Sequence, residues 1–345
     1  MLNSRAGLYN PQNIIFDNIS HILCENSQNE LSIECSGFLR KRFQSGKRPV
    51  GIVEIYYNDS FGKSRKKNIL LKFHYNAKEA FDLMQDVYKK LEVTGISKNM
   101  PRPLFCDMDN NVYFQEYIDG IDLKYYVAKN VILNSLIINR KLTELFNKIG
   151  RWLYYYHRTL SSDDTLQIDK FIQEICDKLS KCNYFNDNEK ILLYNILKDK
   201  SEFLYATNMR LVNTHNDFTL RNIMISSNQK FYIIDWDAMV HEGFPINAPI
   251  WNDITTFYLN VYSLMRFTPF IRKKNIRALT DAFIEGYFHN GDINDKKSIK
   301  HILWLFTLSL YLGMIGDRPL QEVYRGKLGA RYIKSLRRSI LSGYV

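Results

Sequence analysis

Asp217 and Asn222 stand five positions apart in His215-Asn216-Asp217-Phe218-Thr219-Leu220-Arg221-Asn222-Ile223-Met224. A second acid, Asp235, comes later in Ile233-Ile234-Asp235-Trp236-Asp237. Residues of these types suit phosphoryl transfer to a hydroxyl. That chemistry needs a carboxylate to orient the acceptor and take its proton. It also needs hard oxygen ligands for Mg²⁺, held on different loops so that the metal bridges the phosphates. An Asx turn beside a buried structural acid would produce either pair alone, and the three residues together are far more specific.

The surrounding pattern says how they would be positioned. Met209 to Val212 reads as a short buried strand ending at the loop. Asn222 to Ile225 and Phe231 to Ile234 read as paired strands about a turn at Ser227-Asn228-Gln229-Lys230. Such a hairpin carries Asn222 at its entrance and Asp235 at its exit. Upstream, Asn68 to Tyr75 is a candidate strand with Lys72 inside an apolar run, and a lysine there is costly unless it meets an anion. A helix is expected over Ala77 to Val93, with an apolar stripe of Ala80, Leu83, Met84, Val87 and Leu91.

The loop and the hairpin after it resemble the aminoglycoside phosphotransferase and choline kinase superfamily, whose pattern is H-x-D-x-x-x-x-N, an apolar strand, then I-D-W-[DE]. The resemblance extends along most of the chain. Val112 to Leu123 is similar to the family hinge, E-Y-I-x-G-x-x-L. Ile149 to His157 is similar to a central helix, G-x-x-L-x-x-L-H. Trp251 to Ile254 and Ala282 to Tyr287 match later segments. The resemblance implies an α+β, protein-kinase-like bilobal fold, with a small β-rich first lobe and a larger, mainly helical second lobe. It implies Asp217 as catalytic base and Asn222 with Asp235 as Mg²⁺ ligands. ATP would be held by Lys72 and by the backbone of Glu116 and Ile118. His215 is expected to buttress the loop, Asp237 to support it, His157 to be a satisfied core histidine, and Asp253 to be a structural acid at a helix start. Asn216 stands where glycine is frequent.

Three points stay open on the residues. The acidic partner of Lys72 is sought on the following helix among Glu79, Asp82 and Asp86, with spacing favouring Asp86. The phosphate-covering turn is sought at Gln44 to Pro49, between strands at Leu31 to Phe43 and Gly51 to Tyr57. There the amides of Ser45 and Gly46 would face phosphate and Lys47 with Arg48 would add charge; Gly37 is the competing position. Arg221 could touch the transferring phosphoryl group, touch the acceptor, or pair with an acid of its own loop.

With 345 residues and 46% hydrophobic side chains the chain can bury a sizeable core. One bilobal unit is expected, with lobes at 1–118 and 119–345. Cys24, Cys35, Cys106, Cys176 and Cys182 show no C-x-x-C spacing, which suits a reducing, cytoplasmic setting. There is no signal-peptide pattern. Ile302 to Ile315 is apolar but short for a bilayer and reads as a buried helix. The net charge of +11 falls largely in runs at Lys63 to Lys67, Arg272 to Arg277 and Arg325 to Arg338. No nucleic-acid motif accompanies it, so no specific nucleic-acid partner is expected. Lys327, Arg331, Lys334 and Arg338 recur at helical spacing, giving either a solvated face on a packed C-terminal helix or a peripheral membrane contact. The function expected is transfer of the ATP γ-phosphoryl group to a hydroxyl of a small molecule. Because His241 to Trp251 carries only Glu242 as an acid, a sugar or glycan precursor suits better than a cationic amine. The rivals are a protein kinase, against which the missing D-F-G and A-P-E segments argue, and a non-catalytic binding or structural protein on the same fold.

Overall fold

The computed structural model describes residues 50–58, 63–133, 140–207, 209–236, 247–264, 273–291, 296–315 and 327–343. The expected Ser45–Gly46 turn with Lys47, Arg48 and Gly37 lies outside these, as do Asp237, Glu242 and the side chains of Lys327 and Arg331. The fold is α+β, with a small antiparallel sheet and a larger, mostly helical part. The chain divides into two compact units. One comprises Met1–Gly120 with Ser226–Gly243, the other Ile121–Ile225 with Phe244–Val345.

In the first unit, β1 (Val50–Asn58), β2 (Ser64–Phe73), β3 (Pro103–Asp107) and β4 (Val112–Glu116) form an antiparallel sheet in the order β1-β2-β4-β3. Side chains alternate between its faces. Gly51, Val53, Ile55, Ile69, Leu71 and Phe73 are buried on one face. On the other, Val50, Ile52 and Leu70 are only half-buried, and Lys72 sits among them. β2 begins earlier than the sequence suggests. Ser64 to Lys66, within the charge run at Lys63 to Lys67, is the exposed end of that strand, paired with β1 and tied by Lys66 Nζ to Glu54 Oε1 at 2.7 Å.

α1 (Ala77–Val93) has the expected bounds. It buries Ala77, Ala80, Phe81, Met84, Val87 and Leu91, the three-and-four spacing of a one-faced helix. It stops at Gly95, whose φ is +70°. Gly95 N–H donates to Glu92 O and Ile96 N–H to Leu91 O, the paired bonds of a Schellman ending, which a left-handed glycine permits. A 3₁₀ turn at Ser97–Asn99 leads to β3. β5 (Gly120–Asp122) lies where the chain passes into the second unit.

The second unit contains α2 (Leu123–Leu133), α3 (Arg140–Thr159), α4 (Ile168–Lys181), α5 (Asp187–Tyr205), α6 (Trp251–Ser263), α7 (Lys273–Tyr287), α8 (Lys296–Ile315) and α9 (Lys327–Leu341). It also holds a small sheet, in which β7 (Arg210–Asn213) pairs with β6 (Ser161–Thr165) and β10 (Asn247–Pro249). Of this sheet the sequence suggested only the strand at β7; β6 went unseen, because Ser161-Ser162-Asp163-Asp164-Thr165 is polar and mostly exposed and has no alternating pattern. β8 (Ile223–Ser226) and β9 (Phe231–Ile233) flank the expected turn, closed by Ser226 N–H to Lys230 O at 2.9 Å.

α8 contains a stretch, Lys297–Ile315, long and apolar enough by length and composition to cross a membrane, a longer one than Ile302 to Ile315 suggested. Its Ile302, Trp304, Leu305, Leu308 and Tyr311 are fully buried, which makes it the central helix of the unit. α9 packs as a cap. Ile333, Leu336 and Ile340 are buried, Trp304 Nε1–H donates to Ile340 O, and Arg337 grips both oxygens of Glu189. Glu189 is also the third residue of the capping box that starts α5 at Asn186. Lys334 and Arg338 face solvent, and this packing lends no support to membrane contact.

Candidate active site

The loop after β7 is built around its backbone. Asn216 has φ +62°, a left-handed conformation that asparagine tolerates better than most residues. That explains why glycine or asparagine suits the position. The turn leaves the N–H groups of His215 and Asn216 pointing one way, and the buried carboxylate of Asp253 accepts both, Oδ2 at 2.8 Å and Oδ1 at 3.1 Å. Asp253 Oδ2 also accepts from His157 Nε2 at 3.0 Å. His157 Nδ1 lies 2.8 Å from the Tyr287 hydroxyl. In the neutral imidazole, Nε2 is then the donor and Nδ1 accepts from the phenol. One buried chain of hydrogen bonds thus joins α7, α3, the first turn of α6 and the loop.

His157 is the satisfied core histidine expected of it. Asp253 is the structural acid expected, but its carboxylate serves the loop rather than the N-terminus of its own helix. Burial, then the Asp253 charge, holds the neighbouring Tyr156 phenol well above its usual range, so it stays neutral.

The loop is also nailed down by Phe218, which is fully buried and stacks with Trp152 while meeting Phe257 and His215. Burial of such a side chain contributes about 2–3 kcal/mol. His215 is fully buried as well, the buttress the sequence suggested. Asp217, between these two anchors, is half-buried. Its Oδ2 accepts from Asn222 Nδ2 at 2.7 Å and its carbonyl accepts from the same amide at 2.9 Å. Thr219 N–H donates to Asp217 O, and Asn222 N–H to Thr219 O, closing the turn between them. Because Asn222 spends its amide hydrogens on Asp217, its Oδ1 is the atom left to meet a cation. Arg221 is exposed beside it.

The first unit holds the other half of the set. Lys72, 8% exposed, pairs with Asp235, its Nζ 2.6 Å from Oδ1. This corrects the search for a partner on the helix. Glu79 accepts from Asn76, and Asp82 and Asp86 pair with Lys78 and Lys90 one helical turn away on the exposed side of α1. Asp235 has φ +71°, and its side chain is 40% exposed. The turn is pinned by Trp236, fully buried, whose indole N–H donates to Ile233 O at 2.8 Å. Asn99 of the 3₁₀ turn holds Phe231 O. The tryptophan of I-D-W-D is thus the clamp that presents the acid.

At the hinge, Glu116 N–H donates to Arg102 O, and its carboxylate accepts from Arg102 N–H at 3.3 Å. Ile118 is half-buried. Among the described residues no group of three or more His, Cys, Asp or Glu side chains could hold a metal ion. Asn222 and Asp235 each carry an oxygen of the kind a hard cation such as Mg²⁺ takes.

No family model matches the chain, and no curated protein matches it in sequence. Among solved structures it is similar to a glucosamine kinase, with TM-score 0.53 and 12% identity over 93% of this chain and 82% of that one. The chain shares its α+β, protein-kinase-like fold with that enzyme. Two further similarities are looser. The choline kinase LicA from Streptococcus pneumoniae is 16% identical, with TM-score 0.46, over 96% of this chain and 99% of that one. An aminoglycoside phosphotransferase with ADP bound is 14% identical, with TM-score 0.46, over 95% and 99%. Within this kinase-like fold, Asp217 and Asn222 belong to the helical unit, and Lys72, Asp235 and the strand leading to the hinge belong to the sheet unit.

Proposed function

We propose that the chain is an ATP- and Mg²⁺-dependent phosphotransferase that moves the γ-phosphoryl group to a hydroxyl of a small molecule. The observation that carries this reading is the Asp217 carboxylate, oriented by Asn222 at 2.7 Å on a loop hung from Asp253. A carboxylate so placed can hold an acceptor hydroxyl and take its proton as the oxygen attacks phosphorus. The bond from the γ-phosphorus to its bridging oxygen breaks as the new P–O bond forms, and ADP leaves. Lys72 would contact the nucleotide phosphates, and Asn222 Oδ1 with the Asp235 carboxylate would hold Mg²⁺, which supplies charge neutralisation on the phosphates. The backbone of Glu116 and Ile118 would meet the adenine edge. This reading requires both half-sites to serve one nucleotide.

For the acceptor, the net charge of +11 favours a neutral or anionic hydroxyl compound, such as a sugar or glycan precursor, over a cationic amine. The test is ADP release by the purified chain with MgATP and a panel of sugars, polyols and amino alcohols, repeated with EDTA. Acceptor-dependent release that EDTA abolishes supports the reading. Release equal with and without acceptors across the panel would leave a nucleotide-binding protein without transferase activity.

A further inference from the structure

Arg221 is the middle residue of a 3₁₀ turn, Leu220–Asn222, whose other two residues are buried. It stands four positions after Asp217, and two hydrogen bonds close the chain between them, Thr219 N–H to Asp217 O and Asn222 N–H to Thr219 O. Its own side chain is exposed and makes no hydrogen bond or ion pair with a described residue. Of the three roles the sequence left open to it, pairing with an acid of its own loop is therefore not the one it takes. Acids are also scarce around it. Helices α2 and α6 both pack against this turn. α2 carries Lys124 and Lys129 and no acid. The one acid of α6 is Asp253, which is buried and spent on His157 and two loop N–H groups. Across the loop and these two helices, Asp217 is thus the one carboxylate left open to a substrate.

We propose that Arg221 holds an anionic group on the acceptor, a carboxylate or a phosphate ester, and so selects hydroxy acids and sugar phosphates over neutral and cationic hydroxyl compounds. This rests on the phosphotransferase reading above and adds the charge of the acceptor to it. In that reading the nucleotide phosphates are met by Lys72 and Mg²⁺, which leaves Arg221 for the acceptor. A guanidinium presents paired N–H donors in one plane, and these match two oxygens of a carboxylate or a phosphate. Only a short turn separates Arg221 from the proposed base, so an anion gripped by the one leaves a hydroxyl a few bonds away within reach of the other. The guanidinium also offsets the repulsion that an anionic acceptor meets from Asp217 itself. A cationic amine finds the reverse, since Arg221 repels it and the two helices offer it no second carboxylate.

The test measures ADP release with MgATP by the full chain and by its Arg221→Gln and Arg221→Lys variants. The acceptors form two matched series, glycerol with glycerate and glycerophosphate, and glucose with glucuronate and its primary phosphate ester; glucosamine serves as the cation. In at least one series the native kcat/KM should be about tenfold or more higher for an anionic member than for the neutral one. Which anion wins separates a carboxylate from a phosphate. Arg221→Gln should bring that ratio close to one, and the loss should fall on KM rather than kcat. Arg221→Lys should recover part of it, since an ammonium keeps the charge without the paired donors. A native chain that prefers the neutral or cationic acceptors overturns the inference. So does an Arg221→Gln variant that keeps the native ratio, which would make Arg221 a solvated surface residue. An equal fall in kcat on every acceptor overturns it too and assigns Arg221 to the transferring phosphoryl group. If the native chain releases no ADP with any acceptor, the phosphotransferase reading fails and takes this inference with it; if release depends on an acceptor but not on its charge, the inference alone fails.

Discussion

Asp217 and Asp235 are both acids on turns, and the chain holds them by different means. The Asp217 loop hangs from a fully buried carboxylate that accepts two of its backbone N–H groups, with Phe218 sunk into an aromatic cluster behind it. Asp235 stands half in solvent on a left-handed residue and is held by a lysine and by the Trp236 clamp below it. Left-handed φ at such a residue costs on the order of 1 kcal/mol. The contrast suits the two duties proposed for them, base for Asp217 and cation ligand for Asp235. A group that takes a proton must keep its place to a fraction of an ångström, and buried backbone contacts supply that. A group that exchanges a lysine for a cation must be able to let go, and a partly solvated ion pair is easily exchanged.

The comparison breaks most visibly at Asp217 itself. Asp217→Asn should lower kcat by roughly 10²- to 10⁴-fold with nucleotide binding nearly intact, as for loss of a positioned base. Turnover near the native value would remove Asp217 from the chemistry. Next comes the suspension of the loop. Asp253→Ala leaves two loop N–H groups and His157 without their acceptor, and should cost about 3 kcal/mol in chemical denaturation along with most of the activity. If stability falls and kcat does not, the loop holds its shape without this carboxylate. Lys72→Met should weaken ATP by about 10- to 100-fold, the size of a lost charge-assisted bond, and should leave adenosine unaffected. Equal weakening of both ligands would make Lys72 structural. The smallest effect is expected on α1. Asp86→Ala should change ATP affinity by less than about twofold, since Asp86 pairs with exposed Lys90 on the helix surface. A larger loss would restore Asp86 as the partner of Lys72.

Much of this was legible in the sequence, and the misses share a cause. The ends of α1, the turn at Ser227 to Lys230 and the loop with Asp217 and Asn222 are set within a few residues, by apolar spacing and turn chemistry. Lys72 finds Asp235 across 163 positions, which no local pattern encodes; the strand-and-helix rhythm pointed to the nearer acids instead. Asp253 had the right label, but its acceptor role joins residues 37 and 38 positions apart and is decided by which way a buried carboxylate turns. Ser161 to Thr165 forms a strand only because β7 offers it an edge.

The crossing of α3 and α7 has a consequence for how this sequence can drift. A Cβ on Gly150 would stand 2.2 Å from Phe283 O, and one on Gly286 would stand 2.1 Å from Asn147 O. In each case the obstacle is main chain, which cannot rotate aside as a side chain would. The same two helices carry His157 and Tyr287, so a methyl group that wedges them apart pulls on the loop at its far anchor. A saturation library selected for growth would therefore be as bare at these two glycines as at Asp217, although neither meets a ligand. Intolerance to replacement in such a map would trace the suspension of the loop as faithfully as its chemistry. Lineages that keep the loop but lose its substrate should still keep both glycines.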